Sequence, residues 1–120
     1  MEIVQISDND NLLRRVPTYL PNYVKDDGTI SSFAFSKKRD EDGLSVDLER
    51  MTKHEVAILD SRKFRLLRVN AGTVINEIND GLTVVHNPIT DNEAHSLICG
   101  NISDGKKKQL LKNSVEVFVT

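Results

Sequence analysis

Two histidines and two carboxylates are the residues of this chain whose spacing could support chemistry. His86 and His95 flank a short loop that contains Asp91 and Glu93. An open catalytic zinc site usually has three protein ligands, and two imidazoles with one carboxylate would supply them. The spacing matches no established ligand motif, however, and histidines near strand ends often bond only to backbone groups. We therefore predict no metal here, and both a functional and a structural role stay open for each histidine.

Acid–base catalysis is the other chemistry that these residues allow. Histidine changes its charge near neutral pH, so His86 and His95 are the catalytic candidates. Asp47 is a third candidate, because Asp47 and Glu49 would lie about 6 to 7 Å apart on the wet face of one strand. Alternating charges on such a face need no functional explanation. The chain has no glycine-rich phosphate loop, serine elbow or paired-cysteine motif, and we expect no cofactor.

The single cysteine, Cys99, is a possible nucleophile with a histidine as its base. On an ideal strand, His95 and Cys99 share a face. Four residues of extended chain nevertheless span roughly 13 Å, which is too far for direct activation. A buried, inert thiol is the better interpretation.

A hairpin must position these side chains. Residues 82–86 form a β-branched run of strand length, and the sequence Asn87-Pro88 ends it because proline cannot donate to a sheet ladder. Residues 94–99 form a second apolar run, closed by Gly100. If the two runs pair, the histidines lie near the mouth of the hairpin, one on each strand. The loop between them supplies the residues predicted to bind a partner, which are Asn87, Asp91, Asn92 and Glu93.

A second hairpin is predicted from residues 30–36 and 44–49. Apolar and polar side chains alternate in both segments, which is typical of strands with one wet face. The charged segment 37–43 would then be a solvated hairpin tip.

The remaining segments complete an α+β fold. Strands are predicted at 64–69 and 115–119, and short helices at 12–15, 52–60, 74–80 and 103–113. The helix at 52–60 is expected to begin with a Thr52–Glu55 capping box. We expect a mixed, mostly antiparallel sheet of about five or six strands with about three short helices.

Composition places the chain among ordinary globular proteins. Hydrophobic residues make up 38% and charged residues 28% of its 120 residues, so one domain over 1–120 is expected. The net charge of -2 gives no electrostatic case for nucleic acid or an anionic membrane. One cysteine cannot form an internal disulfide, and no segment reads as a membrane span or a signal peptide. These features predict a soluble, cytoplasmic protein.

Several short motifs carry a resemblance over residues 30–100. They are the sequences at 86–88, 92–95 and 98–100, together with Ser45-Val46-Asp47 after a phenylalanine-bearing segment. Their order resembles a pattern in small uncharacterised bacterial proteins. The resemblance implies a bacterial or phage origin and carries over no catalytic role.

Two functions from different classes remain. The first is a non-enzymatic protein-interaction module, or small partner subunit, in a prokaryotic system. It would bind a protein partner or a second copy of itself through the loop 87–93 or an edge strand, for which the arm 1–6 and the segment 115–119 are the natural elements. The second is a small hydrolase or transferase with its site around His86 and His95. The lack of a strong catalytic motif favours the first.

Overall fold

Six strands form one antiparallel sheet in the computed structural model, which describes residues 2–39 and 41–119. Their order across the sheet is β4-β5-β2-β1-β3-β6. The predicted α+β class is confirmed. Met1 and Asp40, which belong to the predicted arm and hairpin tip, and Thr120 lie outside the described residues. The strands are β1 (Asn11–Pro17), β2 (Leu44–Leu48), β3 (Phe64–Asn70), β4 (Thr83–His86), β5 (His95–Cys99) and β6 (Val115–Val117).

Helices connect the strands. Within the described residues they are α1 (His54–Ala57), a π-helical segment (Thr73–Ile78) and α2 (Asp104–Lys112), with 3₁₀ turns at Ser32–Phe35 and Glu49–Met51. Helix α2 begins as predicted after Ser103, whose hydroxyl accepts a hydrogen bond from the backbone N–H of Lys106. None of the described helices is long and apolar enough to cross a membrane.

The sheet buries its two faces to different extents. The first face packs against α2, the Ser32–Phe35 turn and the π-helical segment, and it forms the main core around Phe35, Ile98 and Leu110. The second face is covered by α1 only over β1 and β3, where a small cluster of Leu13, Ala57, Ile58 and Leu66 is buried. This uneven cover leaves room for a cleft over β2 and β5.

The predicted hairpin of 30–36 with 44–49 is wrong in its first half. Residues Ser32–Phe35 form a 3₁₀ turn, and β2 pairs with β1 and β5 instead. The hydroxyl of Ser31 accepts a hydrogen bond from the N–H of Phe33, which favours a helical turn over a strand. Ala34 and Phe35 are then buried in succession, as a turn allows and a half-buried strand does not.

The predicted helix at 12–15 is also wrong, because these residues lie in β1. Just before β1, the Ser7 N–H donates to Oδ2 of Asp10 at 2.8 Å, and the Asp10 N–H donates to the Ser7 carbonyl at 3.0 Å. These bonds close a turn that leads into a strand. Leu12 and Leu13 are both buried because β1 is central and packed on both faces.

The predicted helix at 52–60 is present but shorter than expected, and it lacks its capping box. It spans His54–Ala57, and the Thr52 side chain makes no cap bond to it. Val56 and Leu59 are exposed, while Ile58 is buried. Leu59 has a φ of 68°, and this left-handed residue ends the helix.

The edges of the sheet are β4 and β6. The C-terminal strand is therefore an edge element, as the sequence predicts. Residues 2–6 of the N-terminal arm do not join the sheet, so they offer no edge strand.

Candidate functional site

The two histidines of the β4–β5 hairpin lie on opposite faces of the sheet. His86 is paired across the strands with Ser96, whereas His95 is paired with Asp47 of β2. Ser96 and His95 are consecutive on β5, so their side chains point to opposite faces. The structure does not bring the two histidines into one site.

His86 lies on the first face and is held by backbone groups. It is only 6% exposed, and both of its ring nitrogens bond to backbone groups. Nδ1 accepts from the Val4 N–H at 2.9 Å, and Nε2 donates to the Glu93 carbonyl at 2.6 Å. This pattern requires the neutral ring with its proton on Nε2, and it leaves no nitrogen for a metal or a substrate. His86 ties the N-terminal arm to the hairpin loop.

His95 has a different environment on the second face. Its Nδ1 donates to the Asn87 carbonyl at 2.7 Å, and its Nε2 lies 3.2 Å from the hydroxyl oxygen of Ser45. Because a carbonyl only accepts, Nδ1 carries a proton, and in the neutral ring Nε2 is then the acceptor. A histidine held in this way beside a hydroxyl has the relative placement of a general base and a nucleophile.

Asp47 lies beside His95 at the open part of this face, but Glu49, its predicted carboxylate partner, does not. Asp47 is 8% exposed, and its Oδ1 accepts from Nδ2 of Asn92 at 2.7 Å. Glu49 lies in the following 3₁₀ turn, where it bonds to Arg68 at 2.6 Å and to His54 at 2.6 Å. The predicted pair of Asp47 and Glu49 is therefore divided between two clusters.

Glu49 owes its protonation behaviour to those bonds. The hydrogen bonds from Arg68, and secondarily that from His54, lower the pKa of the Glu49 carboxyl against the opposing effect of partial burial. The same contact raises the pKa of the Arg68 guanidinium. Through these hydrogen bonds, Glu49 links β3 to α1.

A cleft of about 260 Å³ opens on the second face between the sheet and the loop 87–93. Sequence reasoning missed Ser45 as a site residue. Ser45 and Asp47 are two residues apart on β2, so a strand places both side chains on the face that borders this cleft. Arg15 stands at the rim, where its guanidinium donates to the Ala57 carbonyl at 3.0 Å. The polar residues that line the cleft are Arg14, Arg15, Ser45, Asp47, Asn92 and His95.

The loop 87–93 is closely braced. A backbone bridge links Ile89 and Asn92, and Asn92 also bonds to Asp47 beneath the loop. His86 and His95 hold its two ends by the carbonyl contacts described above. Of the four predicted binding residues, three are exposed and Asn92 is partly buried, its amide turned inward; the exposed ones are Asn87, Asp91 and Glu93.

The possible metal ligands and the single cysteine are dispersed over the described residues. No group of three or more histidine, cysteine, aspartate or glutamate side chains in that part of the chain is placed to hold a metal ion. Cys99 is a free thiol at the other end of β5 from His95. It is partly exposed, which corrects the prediction of a buried thiol.

No family model, curated protein or solved structure matches this chain. The resemblance to small bacterial or phage proteins therefore stays a prediction.

Proposed function

We propose that this chain is a non-enzymatic protein-interaction module, a partner subunit that binds protein through the loop 87–93. The observation that carries the proposal is that the loop is held from beneath by His86, Asn92 and His95 while its outer side chains stay exposed. A loop that is already ordered loses little conformational entropy when it binds, so more of its contact energy appears as affinity. A prokaryotic, cytoplasmic setting belongs to the same proposal.

The chemistry of the loop indicates the kind of partner surface. Ile89 is 46% exposed at the tip, and the carboxylates of Asp91 and Glu93 are exposed beside it. A protein surface with an apolar pocket framed by lysine or arginine side chains complements this arrangement. The edge strand β4 runs into the loop and carries the exposed Val85, so a partner strand added to β4 would extend the same contact.

Affinity capture from a lysate of the source cells tests this function. The bait is the full chain, compared with the double variant Ile89→Ser/Asp91→Asn. The matched control is Val115→Ser/Glu55→Gln, which alters one exposed apolar and one exposed acidic residue away from the loop. We expect the loop variant to lower the affinity for a purified captured partner by about tenfold or more, as the loss of a central anchor does.

Two results would contradict the interaction proposal. One is a partner whose affinity is unchanged by the loop substitutions. The other is an equal loss of affinity in the loop variant and in the control. Light scattering of the same proteins shows whether the partner is a second copy of this chain.

A second candidate function is that of a small hydrolase, and the contact between Ser45 and His95 favours it. In an acyl transfer, Oγ of Ser45 would attack the acyl carbon while its proton passes to Nε2 of His95. The histidine would then return that proton to the leaving group, and water would release the acyl-enzyme. His86 takes no part, because both of its ring nitrogens are bonded to backbone groups.

A serine-reactive fluorophosphonate tests the hydrolase. If Ser45 is a nucleophile, mass spectrometry finds the adduct on Ser45 and the adduct disappears in His95→Ala. Labelling of Ser114→Ala, a partly buried serine that bonds to the Leu111 carbonyl, serves as the control and should be unchanged. The absence of an adduct at Ser45 would exclude this candidate and leave the interaction module untouched.

A further inference from the structure

The hydrogen-bonded ladder between β1 and β2 is short, and beyond its end the side chain of an arginine bonds to backbone carbonyls. The two strands pair only at Leu12 with Leu48 and at Leu13 with Asp47. Beyond these pairs, Arg14 extends its guanidinium to three backbone carbonyls in place of further ladder bonds. Its partners are Ala34 at 2.8 Å, Ser45 at 2.8 Å and Ser36 at 3.5 Å.

Arg14 is a partly buried cation that has only neutral hydrogen-bond partners among the described residues. No ion pair of the described side chains includes it. Burial lowers the pKa of the Arg14 guanidinium, and the nearby Tyr23 and Glu41 oppose that effect only in part. A desolvated positive charge of this kind gains strongly from an anion brought within reach.

A cleft of about 370 Å³ gives access to this region, and its walls are basic and aromatic. Three basic side chains and one acidic side chain line it, although the whole chain carries a net charge of -2. Ser36 also lines the cleft, and its hydroxyl is buried without a hydrogen-bond partner among the described residues. The basic and aromatic lining residues are Arg14, Arg15, Lys38, Tyr19, Tyr23 and Phe64.

Each tyrosine of the cleft packs against the ring of a phenylalanine. Tyr19 is exposed and packs edge-to-face on Phe64, with ring centroids 5.7 Å apart. Tyr23 packs on Phe33 in the same way at 4.8 Å. Such rings offer flat apolar surfaces to a planar ligand at low cost in side-chain entropy.

We propose that this cleft binds a phosphate monoester that carries an aromatic ring, of which a nucleoside monophosphate is the simplest example. The phosphate lies towards Arg14 and Lys38, since guanidinium and ammonium groups are the ordinary protein partners of phosphate oxygens. The hydroxyl of Ser36 supplies a further donor. The ring of the ligand packs on Tyr19 or Tyr23. This cleft adjoins the one beneath the loop 87–93 and shares Arg14, Arg15 and Ser45 with it, but the proposal does not depend on the function proposed for that loop.

Calorimetric titration of the full chain at low ionic strength tests the site. The ligands are adenosine monophosphate, inorganic phosphate, adenosine and a 5′-phosphorylated trinucleotide. We expect the monophosphate to bind about tenfold more tightly than either phosphate or adenosine, because only the intact molecule uses both walls of the cleft. Tighter binding of the trinucleotide would identify the end of a strand as the source of the group, and weaker binding would identify the free nucleotide. A monophosphate that binds no better than its two parts overturns the proposal.

Two variants with matched controls locate the binding. Lys38→Gln and Tyr19→Ala alter exposed side chains of the cleft, and each should weaken binding by about fivefold, Lys38→Gln without lowering the melting temperature. Lys112→Gln and Phe118→Ala alter an exposed lysine and an exposed phenylalanine elsewhere, and should leave binding unchanged. Equal effects of the cleft and control variants, or no effect of the cleft variants, would contradict the assignment.

Discussion

His86 on β4 and His95 on β5 are one residue out of register, since His86 pairs with Ser96. That single step places them in different surroundings. His86 lies on the first face, and both of its ring nitrogens bond to backbone groups, those of Val4 and Glu93. His95 lies on the partly open face, where one nitrogen bonds to a carbonyl and the other meets the hydroxyl of Ser45.

The difference shows that the cover over each face of the sheet decides what a polar side chain does there. On the first face, His86 is only 6% exposed beneath the N-terminal arm, so it must find protein partners. On the second face, α1 covers only part of the sheet, and the side chains over β2 and β5 border a cleft. Residue type and nearness in sequence do not distinguish the two cases.

The substitution His86→Ala should give the largest effect on stability. It leaves the Val4 N–H and the Glu93 carbonyl without their partners, at a cost of roughly 1 to 3 kcal/mol for each group that stays unsatisfied. Urea denaturation should show the lower free energy of unfolding, and hydrogen exchange at the Val4 amide should accelerate. An unchanged midpoint would show that the arm is not held through His86.

The substitution Asn92→Ala should give the second-largest loss of stability. The amide of Asn92 is the hydrogen-bond donor to the buried carboxylate of Asp47, and a hydrogen bond to a charged group is worth about 1.5 kcal/mol or slightly more. The double variant Asn92→Ala/Asp47→Ala measures the interaction itself, because the second substitution removes the group that the first leaves unsatisfied. If the two single effects simply add, the loop is not braced through this contact.

His95→Ala should cost less, about 1 kcal/mol, because water in the cleft can replace the lost partners of Asn87 and Ser45. The same denaturation experiment measures it beside His86→Ala. The comparison between the two faces fails if His95→Ala destabilises the protein as much as His86→Ala does.

The hairpin that carries both histidines was predictable from sequence, and the faces on which they lie were not. The β-branched residues Val84 and Val85, the break at Pro88 and the stop at Gly100 are local signals, and they specify strand, loop and strand. The face depends on the register and on which helices cover each side. Those are long-range facts, and a shift of one residue reverses them.

The failures elsewhere have the same origin. The alternation of Phe33 and Phe35 predicts a strand, but the hydroxyl of Ser31 bonds to the N–H of Phe33 and stabilises a turn. Leu12 and Leu13 suggest a helix because both are apolar, yet a central strand buried on both faces accepts the same pair. Ser45 was missed because its significance comes from β5, which lies 50 residues further along the chain.

The smallest predicted effect concerns Glu49, which links Arg68 and His54 on the covered half of the second face. The folded state lowers the pKa of this carboxyl, so its ion pairs stabilise the protein above the ordinary pKa of glutamate. That contribution is lost as the pH falls through the lowered value. For partly exposed pairs it amounts to about 0.2 to 1 kcal/mol. Glu49→Gln should therefore lower the free energy of unfolding at about pH 7, and its effect should shrink as the pH falls and the wild-type carboxyl becomes protonated. Glu55→Gln, at an exposed glutamate of α1, is the control and should show no such pH dependence.

Urea denaturation of the three proteins across this pH range tests the prediction. An effect of Glu49→Gln that persists at low pH would mean that the side chain acts through packing, and that the second face is held by more than its polar contacts.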